Sequence, residues 1–132
     1  MAAGKYSFAI EQGTTVDFEL AYKDSNNDPV DLSEYQARMQ IRPSKESDTV
    51  FLTLSSSRDT DGTGLNLSGS SGLNPPTSGT IGVFISANSS SIFDFDSAVY
   101  DLEIVTGSTY PIVTRLLEGN IKLVKEVTEG GY

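Results

Sequence analysis

Apolar and polar side chains alternate strictly along two segments of the chain. In residues 16–22 every second residue is apolar or aromatic, and Asp17 and Glu19 lie between them. Residues 35–41 repeat this pattern. Successive side chains of a β-strand point to opposite faces, whereas an α-helix would scatter the same apolar residues around its circumference. Each segment therefore predicts a β-strand with one buried face.

Further segments follow the same alternation more loosely. They cover residues 6–10, 50–54, 65–67, 81–85, 100–104, 112–117 and 121–127. Turn-forming residues separate them, and 132 residues is a usual length for one domain. The sequence therefore predicts an all-β fold, a single immunoglobulin-like antiparallel β-sandwich of about eight or nine short strands. We expect this domain to span residues 1–132, with residues 1–4 and 128–132 as tails that are flexible or become ordered on a partner.

The connections between the predicted strands carry recognisable turn signals. Residues 24–29 and the tripeptide Glu118-Gly119-Asn120 predict tight turns, the second of them a hairpin between two strands. Gly107-Ser108 suits a type II′ hairpin turn. Residues 68–79 form the longest predicted loop, which we expect to be mobile. Residues 86–96 break the alternation and predict a one-turn helix that crosses between the two sheets.

Composition excludes several classes of function. The chain has no cysteine and no histidine, which removes disulfides, thiolate catalysis, the usual general base and the commonest metal ligands. Its formal charge is −9, with 18 acidic and 9 basic residues, and this field opposes binding to nucleic-acid phosphates and to anionic membranes. No apolar run approaches the roughly 20 residues of a transmembrane helix, and no signal peptide is visible. We therefore expect no direct contact with nucleic acid or membrane, and no cofactor.

Two acidic segments resemble parts of calcium-binding loops. In residues 59–64 oxygen-bearing side chains alternate and a glycine lies at the bend, but an EF-hand needs a bidentate glutamate at position twelve, where this chain has Ser70. Asp24, Asn26 and Asp28 have a similar spacing, but Pro29 stands where the glycine is required. Asp and Gly favour turns by themselves, so both segments are interpreted as polar turns and no metal site is predicted.

Four carboxylates are close enough in sequence to suggest a catalytic pair: Asp94, Asp96, Asp101 and Glu103. Glycoside hydrolysis needs two carboxyl groups at a fixed separation across a sugar. Asp101 and Glu103 would lie on one face of a strand about 7 Å apart, which is ordinary for a solvated strand. The chain also lacks tryptophan, and no nucleophile with an activating partner is recognisable. The sequence therefore predicts no catalytic residues and a non-enzymatic protein.

The tyrosines divide into two groups. Four of them fall on apolar faces and are expected in the core with hydrated hydroxyl groups, namely Tyr6, Tyr22, Tyr35 and Tyr100. Tyr110 lies at a turn and Tyr132 at the end of the sequence, where each could contact a partner or a sugar ring. These two residues leave a carbohydrate-binding receptor module as an alternative function.

Four segments, in this order, resemble a known family: residues 10–18 (IEQGTTVDF), 28–42 (DPVDLSEYQARMQIR), 100–104 (YDLEI) and 115–123 (RLLEGNIKL). Together they resemble small virion proteins of tailed bacteriophages, related in pattern to the immunoglobulin-like N-terminal domain of phage baseplate upper proteins. The resemblance spans residues 6–128 and implies no catalytic residues. A baseplate upper protein continues into a fibre-like C-terminal region, whereas this sequence stops at Tyr132, so we expect a separate subunit.

The expected function is that of a structural subunit in a tailed-phage tail, baseplate or neck, assembled in the host cytoplasm and located in the virion. Many copies would follow the symmetry of the particle and bind other virion proteins. Residues 6–10 and 121–127 are the predicted sheet edges, and addition of a partner's strand to such an edge is a common binding mode. A capsid decoration subunit with the same fold is a second alternative.

Overall fold

The computed structural model describes residues 4–69, 71–106 and 110–128. Over these residues the chain forms the strands β1 Gly4–Lys5, β2 Phe8–Glu11, β3 Val16–Ala21, β4 Tyr35–Arg42, β5 Leu52–Ser55, β6 Gly64–Asn66, β7 Thr80–Ile85, β8 Ser97–Thr106 and β9 Ile112–Val124. A 3-10 helix covers Pro76–Ser78, and one short α-helix, α1, covers Ala87–Ser91. The strands form two sheets that pack against each other around one apolar core, so the predicted all-β sandwich is confirmed.

The larger sheet has the strand order β1-β9-β8-β4-β5, with β2 also paired to β9, and the smaller sheet has the order β3-β7-β6. The pairings within the smaller sheet and between β4, β5, β8 and β9 are antiparallel. By contrast, β1 and β2 run parallel to β9, which differs from the fully antiparallel sandwich expected from the sequence. The turn at residues 12–15 reverses the chain and carries it from β2 into β3 of the opposite sheet.

The inward faces of the two sheets form the core. In β4 the predicted alternation is confirmed, because Ala37, Met39 and Ile41 are buried whereas Gln36 and Arg38 are exposed. The same alternation in the other strands brings apolar side chains of both sheets together, and their removal from water is the main stabilising contribution.

α1 connects the two sheets, as predicted for residues 86–96. Ser86 caps its N-terminus, since the Ser86 Oγ accepts a hydrogen bond from the Ser89 backbone N–H at 3.1 Å. Ser90 is fully buried, and its Oγ donates to the carbonyl oxygen of Thr14 at 2.7 Å. Phe93 then enters the core. The helix is therefore anchored to the turn between β2 and β3.

Gln12 joins three segments of the chain. Its Nε2 donates to the carbonyl oxygen of Phe93 at 2.8 Å, and its Oε1 accepts from the backbone N–H of Glu126 at 3.0 Å. The Gln12 backbone N–H also donates to the carbonyl oxygen of Val124 at 2.8 Å. One residue thus ties the end of β2 to the connection before β8 and to the chain after β9.

Residues 112–124 form one strand, so the predicted hairpin at Glu118-Gly119-Asn120 was wrong. Gly119 lies within β9, directly opposite Tyr100 of β8. A Cβ atom at Gly119 would lie 2.0 Å from the carbonyl oxygen of Tyr6. Glycine occupies this position because the backbone between β1 and β2 approaches β9 closely, and not because a turn requires it.

A β-bulge divides β9. Leu102 pairs with Leu117 and Glu103 pairs with Arg115, so Leu116 is the extra residue. The extra residue changes the phase of the two-residue alternation. The bulge lies within the segment predicted as one strand, residues 112–117, and the turn-like composition of residues 118–120 is what suggested two strands.

The two predicted sheet edges have different outcomes. β2 lies at the edge of the larger sheet, as expected, with β9 as its partner. Residues 121–124 lie between β8 and β2, so the prediction that the last strand is an edge was wrong. Residues 112–115 pair with β8 on one side and have no second partner strand among the residues that the structure describes.

Some predictions concern the ends and loops. Gly4, expected in a tail, is paired with Leu117 in β1. Residues 1–3 and 129–132 and the Gly107-Ser108 turn lie outside the described residues. In the loop predicted at residues 68–79, the 3-10 helix is tied to the rest of the fold, because the Pro76 carbonyl oxygen accepts from the backbone N–H of Leu32 at 3.0 Å.

Candidate interaction surfaces

Five of the nine basic residues of the chain belong to a cluster of charged side chains on the outward face of the larger sheet and on the adjoining connection between β4 and β5. We call the following set the charged face: Lys5, Arg38, Arg42, Lys45, Asp101, Glu103, Arg115 and Glu118. Strand register arranges part of this set in rows, since Arg38 lies opposite Glu103 and Glu103 lies opposite Arg115. These side chains point outward because their neighbours in β4 and β8 fill the core.

Ion pairs connect the rows of the charged face. Arg38 Nη2 lies 2.9 Å from Glu103 Oε1. Arg115 contacts two carboxylates, with Nε at 3.3 Å from Asp101 Oδ2 and Nη2 at 3.6 Å from Glu103 Oε2. Exposed ion pairs contribute at most about 1 kcal/mol each to stability, so their main effect here is to orient the guanidinium groups.

Glu118 is the point where three cations meet. It forms an ion pair with Lys5 of the neighbouring β1, and its Oε2 lies 3.5 Å from Lys45 Nζ and 4.0 Å from Arg115 Nη1. The hydrogen bond from Lys5, together with the charge of Lys45, lowers the pKa of the Glu118 carboxyl group below its ordinary value. Glu118 therefore stays ionised at any pH near neutrality.

Arg42 positions the connection between β4 and β5 at the border of the charged face. Its Nη1 donates to the carbonyl oxygen of Ser47 at 2.8 Å, and its Nη2 donates to Gln40 Oε1 at 2.6 Å. This connection carries Lys45 to Glu118 of β9. Between the connection and the sheet lies a shallow depression of about 440 Å³, lined by the charged side chains of β4, β8 and β9 together with Ser44 and Lys45.

The side chains of the charged face differ in sign from the rest of the molecule. These five cations and three carboxylates have a formal charge of +2, whereas the whole chain has −9; Glu46 and Asp48 lie on the same connection as Lys45 but do not line the depression. A surface whose sign opposes that of the whole protein attracts acidic groups at short range.

The connection between β3 and β4, residues 22–34, carries charge of the opposite sign to the charged face. We call it the acidic loop, because Asp24, Asp28, Asp31 and Glu34 are all exposed there and Lys23 is its one cation. The predicted turn is confirmed, since Asp24 Oδ1 accepts from the backbone N–H of Asn26 at 2.9 Å and of Asp28 at 3.0 Å. An antiparallel bridge between Lys23 and Pro29 closes the turn.

Residues 59–64 form the predicted polar turn. Asp61 Oδ1 accepts from the backbone N–H of Thr63 at 2.9 Å, and Asp61 Oδ2 accepts from Ser86 Oγ at 2.6 Å. The hydrogen bond from Ser86 and that from Thr63 lower the pKa of the Asp61 carboxyl group. Both oxygens of Asp61 therefore serve to hold this turn against the cap of α1. Within residues 4–69, 71–106 and 110–128, no three acidic side chains are placed to hold a metal ion together.

The four carboxylates considered for catalysis do not come together. Asp101 and Glu103 share the charged face, where both contact Arg115. Asp94 is almost fully exposed and pairs with Lys125 Nζ at 3.0 Å, and Asp96 is exposed just before β8.

The structure changes the interpretation of two tyrosines. Tyr100 is buried as predicted, but its hydroxyl group is not hydrated as expected, because it donates to the carbonyl oxygen of Tyr6 at 2.5 Å. Burial raises the pKa of the Tyr100 hydroxyl group far above its ordinary value. Tyr6 is 44% exposed and is not a core residue; its ring stacks on Phe8 at the rim, with 5.8 Å between ring centroids. Tyr22 and Tyr35 are half-buried.

An exposed apolar group lies where β9 begins. Tyr110 is 86% exposed, Ile112 66% and Val113 46%. These three residues lie at the part of β9 that has one partner strand among the described residues. The predicted exposure of Tyr110 is confirmed, and Tyr132 lies outside the described residues.

Sequence analysis missed the charged face. A signal was present, since Arg38 and Arg42 stand at polar positions of a strand with a clear alternation. The ion-pair partner of Arg38 on β8, Glu103, is 65 residues away in sequence, and strand register brings the two together.

No helix in the described part of the chain has both the length and the apolar character of a membrane span. Neither the comparison with protein-family models nor the comparison with curated proteins gives a significant match to this sequence.

Proposed function

We propose that this protein is a non-enzymatic structural subunit of a tailed-phage virion, in the tail, baseplate or neck, and that it acts through protein–protein contacts. The observation that carries the assembly role is the exposure of Tyr110, Ile112 and Val113 at the start of β9, where the strand has one partner strand among the described residues. Exposed apolar side chains along a strand with one described neighbour favour association with another polypeptide, because the partner can cover some of them and pair with the strand backbone.

The strand order supports an immunoglobulin-like form of the sandwich. If β3 to β9 correspond to strands B, C, C′, D, E, F and G, the two sheets follow the orders G-F-C-C′ and B-E-D. The first strand departs from the constant-type arrangement, since it pairs with β9 and not with β3. Such domains provide rigid frameworks whose edges and loops bind partners.

The assignment to a phage virion rests on the resemblance of four ordered segments, 10–18, 28–42, 100–104 and 115–123, to small phage structural proteins. Three of these segments cover strands that build the larger sheet: β4, β8 and β9. The first covers the passage from β2 into β3, where Gln12 joins three parts of the chain. The resemblance therefore concerns residues that organise the fold.

The chemistry of the carboxylates supports a non-enzymatic role. Asp101 and Glu103 are both engaged in ion pairs with arginines at 2.9–3.6 Å. In Asp31, Asp61 and Glu118 the pKa of the carboxyl group is lowered, chiefly by hydrogen bonds from Ser33, Ser86 and Lys5 respectively. A general acid at neutral pH requires the opposite shift.

Mass spectrometry of purified virions tests the proposal. We expect the protein among the particle components in a fixed copy number, and six or twelve copies per particle would agree with a tail organelle. Hundreds of copies would instead assign the protein to the head as a decoration subunit. Absence from the particle would refute a virion role.

Carbohydrate binding is a second candidate, favoured by the exposure of Tyr110, since an exposed aromatic ring can stack on a sugar. A glycan array probed with the pure protein and with Tyr110→Ala tests it. Binding that is lost in the variant would support a receptor-binding module, whereas an array without signal would eliminate this candidate.

A further inference from the structure

We propose that the charged face binds the acidic loop of a second copy of this chain, so that copies join head to tail. This inference adds a self-assembly contact to the proposed structural role. It concerns the pure protein, so it can fail without affecting the assignment to a virion.

Charge is the first reason. The charged face has a formal charge of +2 within a chain of −9, and the acidic loop has four carboxylates and one lysine. A second copy therefore supplies the acidic partner that the charged face attracts, and any other pairing of the two surfaces would place like charges together. Opposite potentials across a contact favour this orientation over the alternatives.

Available hydrogen-bond donors are the second reason. Arg38 uses Nε and Nη2 for Glu103, which leaves its Nη1 donors without a partner among the described residues. The side chain of Arg38 is more than half exposed, and so is that of Lys45, whose neighbouring anion is Glu118. Guanidinium and ammonium groups positioned in this way can donate hydrogen bonds to an additional carboxylate without rearrangement.

Shape is the third reason. The charged face encloses a depression of about 440 Å³, and residues 23–29 of the acidic loop are exposed throughout. The two hydrogen bonds to Asp24 Oδ1 and the bridge between Lys23 and Pro29 hold this hairpin in one conformation. A preformed projection that enters a preformed depression loses little conformational entropy on binding.

The two surfaces belong to different parts of the molecule. The acidic loop connects the end of β3 to the start of β4, whereas the wall of the depression connects the end of β4 to β5. The two connections therefore lie at opposite ends of β4, and one copy can use both surfaces at once. A contact between two different surfaces is heterologous, and it produces a ring or an open filament.

Sedimentation velocity of the pure protein tests the contact. At about 0.15 M salt the Debye length is about 8 Å, so the repulsion between distant charges is largely screened. We expect oligomers whose size increases with concentration up to about 1 mM, the range of weak contacts. A monomer throughout this range would overturn the inference.

Two variants separate the surfaces. Arg38→Gln/Arg115→Gln removes cations from the charged face, and Asp28→Lys/Glu34→Lys reverses the acidic loop without touching Asp24. We expect each variant alone to associate at least about tenfold more weakly than the natural protein. An equimolar mixture of the two variants should form dimers and nothing larger. The intact acidic loop of the arginine variant can bind the intact charged face of the loop variant, and the two altered surfaces cannot extend the chain of contacts.

A matched control is Asp59→Lys/Asp96→Lys, which changes the net charge by the same amount as the loop variant at exposed positions outside both surfaces. We expect this control to associate like the natural protein. Equal loss in the control, or a mixture that stays monomeric, would overturn the head-to-tail contact. Circular dichroism establishes that the variants are folded, and the single substitution Lys45→Glu replaces the double arginine variant if that one unfolds.

Discussion

The two halves of β9 have the same secondary structure but different surroundings. Residues 117–124 lie between β8 on one side and β1 and β2 on the other, and Ile121 is fully buried. Residues 112–115 pair with β8, and Ile112 is two-thirds exposed. The bulge at Leu116 marks the boundary between them. One half of the strand is therefore enclosed by the fold, while the other half has exposed apolar side chains and pairs with one strand among the described residues.

This comparison shows that an apolar residue in a strand does not by itself indicate a core position. Ile112 and Ile121 have the same side chain in the same strand. Closure of the sheet by β2 is what buries Ile121, since Phe8 lies opposite it. Where no described strand completes the sheet, as at Ile112, the apolar side chain remains exposed.

The largest effect is expected for Ile121→Ala. Removal of a fully buried side chain from the enclosed half leaves a cavity and should lower the free energy of unfolding by about 3 kcal/mol. Urea denaturation followed by circular dichroism measures this. Ile112→Ala is the matched control and should change stability by less than about 0.5 kcal/mol. Equal losses in both variants would show that the two halves do not differ.

Gly119→Val should be nearly as damaging. The new Cβ would lie 2.0 Å from the Tyr6 carbonyl oxygen, so β1 and β2 must move away from β9 at a cost of about 3 kcal/mol. Hydrogen exchange should show lost protection of residues 8–11. Gly4→Ala serves as the control, because a Cβ there meets its nearest atom at an ordinary 3.4 Å. Normal protection in Gly119→Val would contradict the close approach.

Tyr100→Phe should have a smaller effect. The substitution removes the hydroxyl group that donates to the Tyr6 carbonyl oxygen and should lower stability by about 1 kcal/mol. Urea denaturation detects the change, and Tyr35→Phe is a suitable control. A change below about 0.3 kcal/mol would mean that water replaces this hydrogen bond completely.

The smallest effect concerns pH and the ion pairs at the boundary of the two halves. The pKa of Glu118 is lower in the folded protein than its ordinary value of 4.5, chiefly because Lys5 donates a hydrogen bond to it. Its contribution to stability is therefore complete above about pH 4.5 and is lost as the pH falls through the folded-state pKa. Glu118→Gln should flatten the loss of stability between neutral and acidic pH. An unchanged pH profile would contradict this role of Glu118.

Local sequence predicted much of the fold. The alternation in β3 and β4, the turn at residues 24–29 and the helix between β7 and β8 follow from neighbouring residues, because strand periodicity and turn chemistry act over a few positions. The continuity of β9 could not be predicted in this way. The residues around Gly119 have a composition typical of a turn. Glycine is required at this position because the backbone of Tyr6, which is distant in sequence, leaves no room for a Cβ atom.

The candidate surfaces were predicted in part. The exposure of Tyr110 and the acidic character of residues 24–31 follow from the sequence, since turn residues lie outside the core. The charged face did not follow from it. Arg38, Glu103 and Arg115 form one row because β8 lies between β4 and β9, and strand order is a property of the whole sheet.

The sequence by itself thus determined that the chain folds as a β-sandwich and that its chemistry lacks thiol and imidazole groups, since both depend on residue identity and short-range periodicity. The tertiary structure alone decided the parallel pairing of β1 and β2 with β9 and the closure over Ile121. It also decided the grouping of five cations on one face of an acidic protein. These features depend on which distant segments meet, and that is set by the packing of complete sheets against each other.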